Sequence, residues 1–264
     1  MTMTMTRHGW LALALSAVAH AAAGQEPAPR RLPFFVGESL VYRVKSSRVG
    51  NIGKATMVVD PQEEVRGTPT MVLRFAFRAK VGLVGAEDQT ESWLDPVRLA
   101  SLRFHKHEKH PLSRHDERVE VFPEAHRWEA NDGSGTIVTD APLDELSFMY
   151  VLRTLPLDAD TVVRLDRHFD AARNPTTVRV LGRRTVTTEA GTFRTIQVEM
   201  RVMDERRYRG EGVIRLDLTD DHCRIPVRIE SQMPVVGRTV MTLDTQNHPA
   251  THHLARVDQL ARGE

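Results

Sequence analysis

The sequence has little of several features that would place it in a functional class at once. It has one cysteine, Cys223, among 264 residues, which excludes an internal disulfide framework and any cysteine-based zinc or iron–sulfur cluster. Aromatic residues make up 6% of the chain, so a platform of stacked rings for carbohydrate is not supported. A glycine-rich phosphate loop and a dinucleotide-binding fingerprint are both missing. The sequence therefore predicts no cofactor.

Charge of one sign is not in excess either. The chain has 36 lysines and arginines against 35 aspartates and glutamates, a balance that argues against a dedicated nucleic-acid binder. Only five of the basic residues are lysines, and the 31 arginines are spread along the sequence, as genomic base composition would produce. The hydrophobic fraction of 41% is enough to bury a full core.

The first 24 residues have the three parts of a secretory signal peptide. Arg7 gives a positive start, Trp10–Val18 is a short apolar run, and small residues with an A-x-A pattern follow at Ala19–Ala23. The apolar run is too short to span a bilayer, and no cysteine follows it as a lipid-attachment site. The sequence thus predicts a periplasmic protein that is neither lipid-anchored nor held by an integral membrane segment.

Beyond a proline-rich lead-in at residues 25–33, the dominant hydrophobic period is two. Alternation of this kind is typical of antiparallel strands with one face on a core and the other in water. The clearest segments are Leu40–Lys45, Met71–Val81, Ile196–Val202, Ile214–Thr219 and Ile225–Glu230.

Turn signals separate the strands. They are Asp60-Pro61, Asp95-Pro96, Asn131-Asp132-Gly133, Asn174-Pro175, Gly191 and Gly237.

One segment of the exported region predicts a helix, at about 142–155. Leu143, Leu146 and Met149 recur at helical spacing, acidic residues occupy the first turn, and Pro156 ends it. We therefore expect a mainly β protein, with a large curved antiparallel sheet or open β-barrel of roughly a dozen strands and this one main helix. The expected organisation is one β-rich domain over residues 34–245, followed by a polar tail at 246–264.

Four blocks of the sequence stand out as motifs: Phe35–Tyr42 (FVGESLVY), Tyr150–Leu157 (YVLRTLPL), Glu189–Thr195 (EAGTFRT) and Leu218–Ile229 (LTDDHCRIPVRI). In their order and spacing they resemble the bacterial domain-of-unknown-function 3108 family, over residues 34–243. The resemblance implies an exported, β-rich protein without established activity, and it carries no catalytic residue to transfer.

The stretch Phe104–His115 holds four histidines, His105, His107, His110 and His115. On a strand, His105 and His107 share a face and could chelate a metal ion, but the spacing does not match the zinc-protease pattern. We interpret the stretch as a solvated hairpin that turns near Pro111. A second histidine cluster, His248, His252 and His253, lies toward the polar tail and is not expected to form a site.

Two groupings could suggest catalysis. Cys223 adjoins Asp221 and His222, but adjacent strand residues point to opposite faces, so a buried thiol is the expectation. In Glu87–Glu91, the side chains of residues 87, 89 and 91 share one face and Asp88 takes the other, as at a solvent-facing strand. Gly133-Ser134-Gly135 follows a hairpin signature and is not a nucleophile elbow.

No catalytic or metal-binding residue is therefore assigned, and the ligand-binding residues stay unidentified. The leading hypothesis is a non-enzymatic periplasmic binder of a lipid or other apolar ligand. The alternatives are a structural or assembly module that contacts an envelope protein and, less favoured, a hydrolase. An apolar cavity would favour the first, an apolar surface patch the second, and a cleft with converging acids or histidines the third.

Overall fold

A computed structural model describes residues 31–82, 84–111, 113–205, 208–233 and 237–248. All of them belong to one compact unit. The predicted signal peptide and most of the polar tail lie outside these residues. No helix in the described ranges is long and apolar enough to cross a bilayer.

Within the described residues, fourteen strands make up the sheet, and the predicted fold class is confirmed. They are β1 (Ser39–Ser46), β2 (Gly50–Val65), β3 (Thr68–Val81), β4 (Val84–Asp95), β5 (Ala100–His110), β6 (Ser113–Phe122), β7 (Arg127–Ala130), β8 (Gly133–Thr136), β9 (Val162–Leu165), β10 (Thr176–Thr188), β11 (Gly191–Asp204), β12 (Gly210–Thr219), β13 (Pro226–Met233) and β14 (Gly237–Asn247).

The strand order is β8-β7-β6-β5-β4-β3-β2-β1-β14-β13-β12-β11-β10-β9, and each neighbouring pair is antiparallel. The first and last strands therefore pair in the middle of the sheet, while β8 and β9 form its two edges in the described structure. Strand β10 contacts β13 and β14, which are three and four positions away from it in this order. Because neighbouring strands are about 4.8 Å apart, a flat sheet would keep these strands too far apart, so the sheet curls.

One predicted turn is wrong. Asp60-Pro61 lies inside β2, where the register with β3 shifts between Asp60 and Glu63 as at a β-bulge. Proline cannot donate to a ladder, and the bulge accommodates it without ending the strand. The chain turns later, at Arg66 and Gly67, both of which have positive φ.

The main helix lies inside the predicted range but is shorter. Helix α1 (Glu145–Val151) continues as a 3₁₀ turn over Leu152–Thr154, and Leu155 is extended, as expected before Pro156. The other short 3₁₀ turns are Pro123–Ala125 and Ala171–Arg173. The chain between β8 and β9 contains α1, so this segment links the two edges of the sheet.

The two ends of the curled sheet differ. We call "the rim" the end that carries the β1–β2, β3–β4, β5–β6, β11–β12 and β13–β14 connections, and "the base" the opposite end. Helix α1 lies toward the base: Tyr150 Oη donates to the carbonyl of Val58, and Asp144 contacts Ser92 and Ser101, where β4 ends and β5 begins.

Asp144 explains why α1 begins where it does. Its Oδ1 accepts hydrogen bonds from the backbone N–H groups of Leu146 (2.8 Å) and Ser147 (2.9 Å), and Ser147 Oγ accepts from the Asp144 N–H. Its Oδ2 accepts from Ser92 Oγ (2.5 Å) and Ser101 Oγ (2.6 Å). Burial raises the pKa of Asp144, although these four donors act in the opposite direction. All the polar contacts of the carboxylate serve to fix α1 on the sheet.

We predict that Asp144→Ala lowers the free energy of unfolding by about 2–3 kcal/mol, because it removes the helix cap and leaves two buried serine hydroxyls without their acceptor. The matched control is Asp140→Ala, since the Asp140 side chain is 94% exposed. Its expected effect is within about 0.5 kcal/mol. Urea unfolding measures both, and equal effects would contradict the role of Asp144.

Candidate functional site

A buried arginine closes the base of the fold. The guanidinium of Arg153, in the 3₁₀ turn after α1, is completely buried and makes a two-point ion pair with Glu38: Nη1–Oε1 is 2.7 Å and Nη2–Oε2 is 2.8 Å. It also donates to the carbonyls of Pro33 (2.7 Å) and Cys223 (2.8 Å from Nη2 and 3.2 Å from Nε). The planar fork of arginine suits this set of acceptors.

Further groups extend the arrangement to both ends of the domain. His248 Nε2, just after β14, lies 3.1 Å from Glu38 Oε2 and 3.2 Å from the carbonyl of Pro33. Arg224 donates to the carbonyls of Arg153 and Leu155. Burial opposes the ionisation of Glu38, but the charge and hydrogen bonds of Arg153, with a contribution from His248, hold the pKa of Glu38 below its ordinary value.

Above the base, the concave face has an apolar part formed mainly by β1–β3 and β10–β14. Its deep residues pack in one buried cluster with α1. Around that cluster lies a set of apolar side chains that are only half-buried, which we call "the concave patch". Its members are Phe75, Phe77, Ala79, Met149, Val202, Ile214 and Met241.

Next to the concave patch, the same face becomes charged on β4–β6. Phe77 pairs in register with Asp88, and Asp88 with Glu108. Lys106, with only 7% of its surface exposed, lies 2.9 Å from Glu145 Oε2 on α1 and 3.5 Å from Glu108 Oε1. The charges on this part of the face are thus held in ion pairs, as buried charges must be.

Arg173 joins the two halves of the sheet. Its Nη2 lies 2.6 Å from Glu145 Oε1 and 2.6 Å from Asp204 Oδ2, at the end of β11. His168 nearby is fully buried, and burial, followed by the charge of Arg173, lowers its pKa to about 3. His168 is therefore neutral at physiological pH and does not serve as a titrating acid or base there.

The described surface has a hollow of about 460 Å³ on the outer face of β4–β6 and another of about 200 Å³ beside Arg173. Polar and charged residues line the first, and five charged residues are mixed with apolar ones in the second, so neither is the apolar cavity expected for a carrier. The first is lined by Gln89, Glu91, His105, Lys106, His107, Asp116 and Arg118, and the second by Glu117, Trp128, Phe169, Asp170, Ala172, Arg173, Met203, Asp204 and Glu205.

The four histidines of β5 and β6 each lie beside a different carboxylate. His105 Nδ1 is 4.0 Å from Glu91, and His107 Nδ1 is 3.3 Å from Asp116. His110 Nε2 is 2.7 Å from Asp88, and His115 Nε2 is 3.2 Å from Glu117. In the described ranges, no three His, Cys, Asp or Glu side chains are grouped so that they could hold a metal ion.

The cysteine grouping does not form a nucleophile and base. Cys223 is buried as a free thiol, and burial, followed by the charge of Asp221, raises its pKa. Asp221 Oδ1 accepts from the backbone N–H groups of Cys223 (2.9 Å) and Arg224 (3.0 Å), so it shapes the loop between β12 and β13. His222 is exposed.

The acidic stretch of β4 has the alternation expected from its sequence. Glu91 on the outer face pairs with Arg74, and Glu87 lies 3.8 Å from Arg78. Asp88 lies on the concave face with His110. The carboxylates are therefore distributed over separate ion pairs on two faces, which is unlike the converging pair that acid–base chemistry needs. The assignment of no catalytic residue stays a prediction.

Sequence reasoning missed the residues that organise this region. Glu38, Arg153 and Arg224 lie in the blocks that carry the family resemblance, but the sequence alone does not indicate that they meet. For Asp144, the position before a predicted helix was the available signal. For Lys106 and Arg173 we find none.

Comparison with known proteins agrees with the resemblance. The sequence model of a family described as "Protein of unknown function (DUF3108)" matches residues 41–244. None of the curated proteins compared with the chain matches it.

One of the solved structures that align with the chain shares its fold. A β-barrel-like protein of domain of unknown function DUF1849 from Brucella abortus aligns with a TM-score of 0.59 at 12% identity, over 81% of this chain and 98% of that one. A candidate lipoprotein from Parabacteroides distasonis aligns at 0.36 and 10% identity, over 82% and 98%. A candidate exported protein with a YmcC-like fold from Bacteroides fragilis aligns at 0.35 and 14% identity, over 82% and 98%.

We predict that Arg153→Met lowers the free energy of unfolding by about 3–5 kcal/mol, because it leaves the Glu38 carboxylate buried without its partner. The double variant Arg153→Met/Glu38→Met should lose less free energy of unfolding than the single variant, and urea unfolding tests both.

The pair should also make the stability depend on pH. Because the folded-state pKa of Glu38 is lowered, the contribution of Glu38 to the free energy of unfolding is present above its unfolded pKa and is lost as the pH falls below about 4. Glu38→Gln should remove this part of the loss of stability at low pH. If the free energy of unfolding of Glu38→Gln depends on pH as that of the wild type does, the pairing is contradicted.

For the histidines we predict weak zinc binding that leaves the melting temperature nearly unchanged. A tight site that exists only in the folded state would add about 4 kcal/mol at a thousandfold excess over its dissociation constant. Differential scanning fluorimetry with and without zinc measures the shift. A large shift that His105→Ala abolishes would overturn the assignment of His105 and His107 as non-ligands.

Proposed function

The chain belongs to the DUF3108 family of proteins of unknown function, and we propose that it is a non-enzymatic protein of the periplasm that holds an apolar ligand, such as a lipid acyl chain, on its concave face. The proposal of export rests on the signal-peptide pattern of residues 1–24. The proposal of an apolar ligand rests on the concave patch.

The concave patch is the single observation that carries the proposal. Its side chains continue the buried cluster, but they are only half-covered by the protein itself. Apolar surface that remains partly in water is favourable to cover, at about 25 cal/mol for each Å² that a ligand removes from water. A flexible acyl chain could lie along Phe75 and Phe77 toward Met149 on α1.

The charged residues beside the concave patch favour one orientation of the ligand on this face. On the same concave face, Asp88, which contacts His110, is directly opposite Phe77, and Lys106 lies one strand further on, opposite Thr90. A molecule with an apolar tail and a polar head would match this change from apolar to charged surface. An amphiphile therefore fits better than a pure hydrocarbon.

A second function has one observation in its favour. In the described structure, the edge strands β8 and β9 each have a neighbouring strand on one side only. Apolar side chains near these edges are exposed: Val138 by 59%, Val162 by 55% and Leu181 by 43%. An unpaired edge with apolar neighbours can add a strand from another protein. An assembly module of the envelope would use this surface instead of the concave patch.

The deciding experiment is native mass spectrometry of protein purified from the envelope, with Phe77→Ala compared with Phe104→Ala. Phe104 is fully buried in a separate cluster, so its loss should cost about 3–5 kcal/mol and leave lipid retention per folded molecule unchanged. Phe77 is half-buried, so we expect a cost below about 2 kcal/mol together with loss of the bound lipid.

Wild-type protein without any retained amphiphile would contradict the proposal. So would a Phe77→Ala variant that keeps its lipid. Lipid-free protein that is recovered with an envelope protein bound at β8 or β9 would favour the assembly module.

A further inference from the structure

The outer face carries a row of like charges next to the rim. Cross-strand pairing places Arg43 of β1 opposite Lys54 of β2, and Lys54 opposite Arg78 of β3. The row continues through Glu87 of β4 to Lys109 of β5, which is opposite Arg114 of β6. Six neighbouring strands thus present five cations and one anion in direct register. We call this row "the basic ladder".

The other half of the outer face is built differently. There, Arg179 of β10 is opposite Glu199, Glu199 is opposite Arg215, and Arg215 is opposite Glu230. This row alternates in sign at each step, and Arg215 Nη2 lies 2.9 Å from Glu199 Oε2. The sheet can therefore arrange its charges favourably, and the basic ladder is an exception within the same protein.

Like charges directly opposite each other destabilise a sheet, and the fold offsets them only in part here. Arg43 pairs with Asp244 at 3.0 Å and with Glu189 at 3.3 Å, whereas Lys54 lies 3.8 Å from the same Asp244. Arg78 lies 3.8 Å from Glu87, and its side chain is 75% exposed. In the described ranges, Lys109 and Arg114 have no ion-pair partner. The repulsion within the row lowers the free energy of unfolding, while its side chains are exposed. Such a row is suited to bind an external anionic partner.

The rim adds more basic residues in front of the ladder. Lys45 and Arg48 lie at the β1–β2 connection, and Lys80 lies at the end of β3, all of them exposed. Four of the five lysines of this arginine-rich chain are thereby in the ladder or in front of it. Val49, at the tip between β1 and β2, is 50% exposed.

We propose that the rim and the basic ladder form a docking surface for an anionic lipid bilayer. The sheet curls, so a row that crosses six strands follows the curve of the rim, and a planar partner can meet its members together with the rim residues. Lysine suits this position because its flexible stem can lie along apolar surface while the ammonium stays with the phosphates. Val49 provides an apolar tip for the lipid interface.

This surface lies on the outer face and at the rim, separate from the concave patch. The inference therefore does not depend on the proposed ligand. A lipid-binding protein without a membrane-docking rim would fail only the test below, and a membrane-docked protein without a bound lipid would fail only the mass-spectrometric one.

The test is co-sedimentation with vesicles. The full chain is expressed with its own N-terminal segment, and the form that accumulates is purified. It is mixed with phosphatidylcholine vesicles, or with vesicles that contain about 30% phosphatidylglycerol, at low and high salt. A triple variant, Lys54→Gln/Arg78→Gln/Lys109→Gln, removes charge from the ladder. The matched control, Arg98→Gln/Arg118→Gln/Arg164→Gln, removes the same charge from side chains that are 51%, 67% and 66% exposed elsewhere.

We expect binding to the anionic vesicles only, weakened by salt. A basic residue near an anionic surface contributes about a fivefold gain in affinity, so the ladder variant should lose about a hundredfold, while the control should stay within about twofold of wild type. The ladder variant should also melt no lower than wild type, because it relieves like-charge neighbours.

Three outcomes would overturn the proposal. The first is equal weakening by the two triple variants, which would mean attraction by overall charge only. The second is equal binding to neutral vesicles. The third is tight binding of soluble polyphosphate without binding to vesicles, which would assign the ladder to a linear polyanion. If the triple variant fails to fold, Lys109→Gln alone should still weaken vesicle binding about fivefold. Unchanged vesicle binding by Lys109→Gln would also overturn the proposal.

Discussion

The fold depends on one buried ion pair, Arg153 with Glu38. Neither side chain has any exposure, so both charges have lost their hydration, and only good geometry with further hydrogen bonds can compensate for that loss. The pair has both, since each guanidinium nitrogen donates and Glu38 also contacts His248. Segments far apart in the chain meet there: the approach to β1, the turn after α1, the β12–β13 loop and the end of β14.

This interaction gives the curled sheet two unequal ends. Once Arg153 fixes the turn after α1, the helix lies toward the base and its apolar side chains complete the core there. Toward the rim the helix no longer covers the sheet, which leaves Phe75, Phe77 and their neighbours half-buried. The concave patch is thus a consequence of a helix of only seven residues that Asp144 and Arg153 both hold toward the base.

The sequence predicted the local features better than the distant ones. Alternation at Met71–Val81 and Ile196–Val202 identified strands because burial on one face of a sheet imposes a period of two. The turn predicted at Asp60-Pro61 is wrong because the sequence does not distinguish a β-bulge from a turn. The Arg153–Glu38 pair could not be predicted, since the residues are 115 positions apart and a charged residue is by default expected at the surface. Only the family blocks marked both positions, without showing that they touch.

The basic ladder illustrates a different limit. The positions of Lys54, Arg78 and Lys109 are plain in the sequence, yet they look like isolated charges in three separate strands. Strand register places them in one row, and a slip of one residue in any strand would move its charge to the other face. Register here follows from burial of the opposite, apolar positions, such as Ala55 opposite Phe77. The core of the domain therefore determines where the outer charges line up, so a change in core packing would act on the proposed membrane docking through the register.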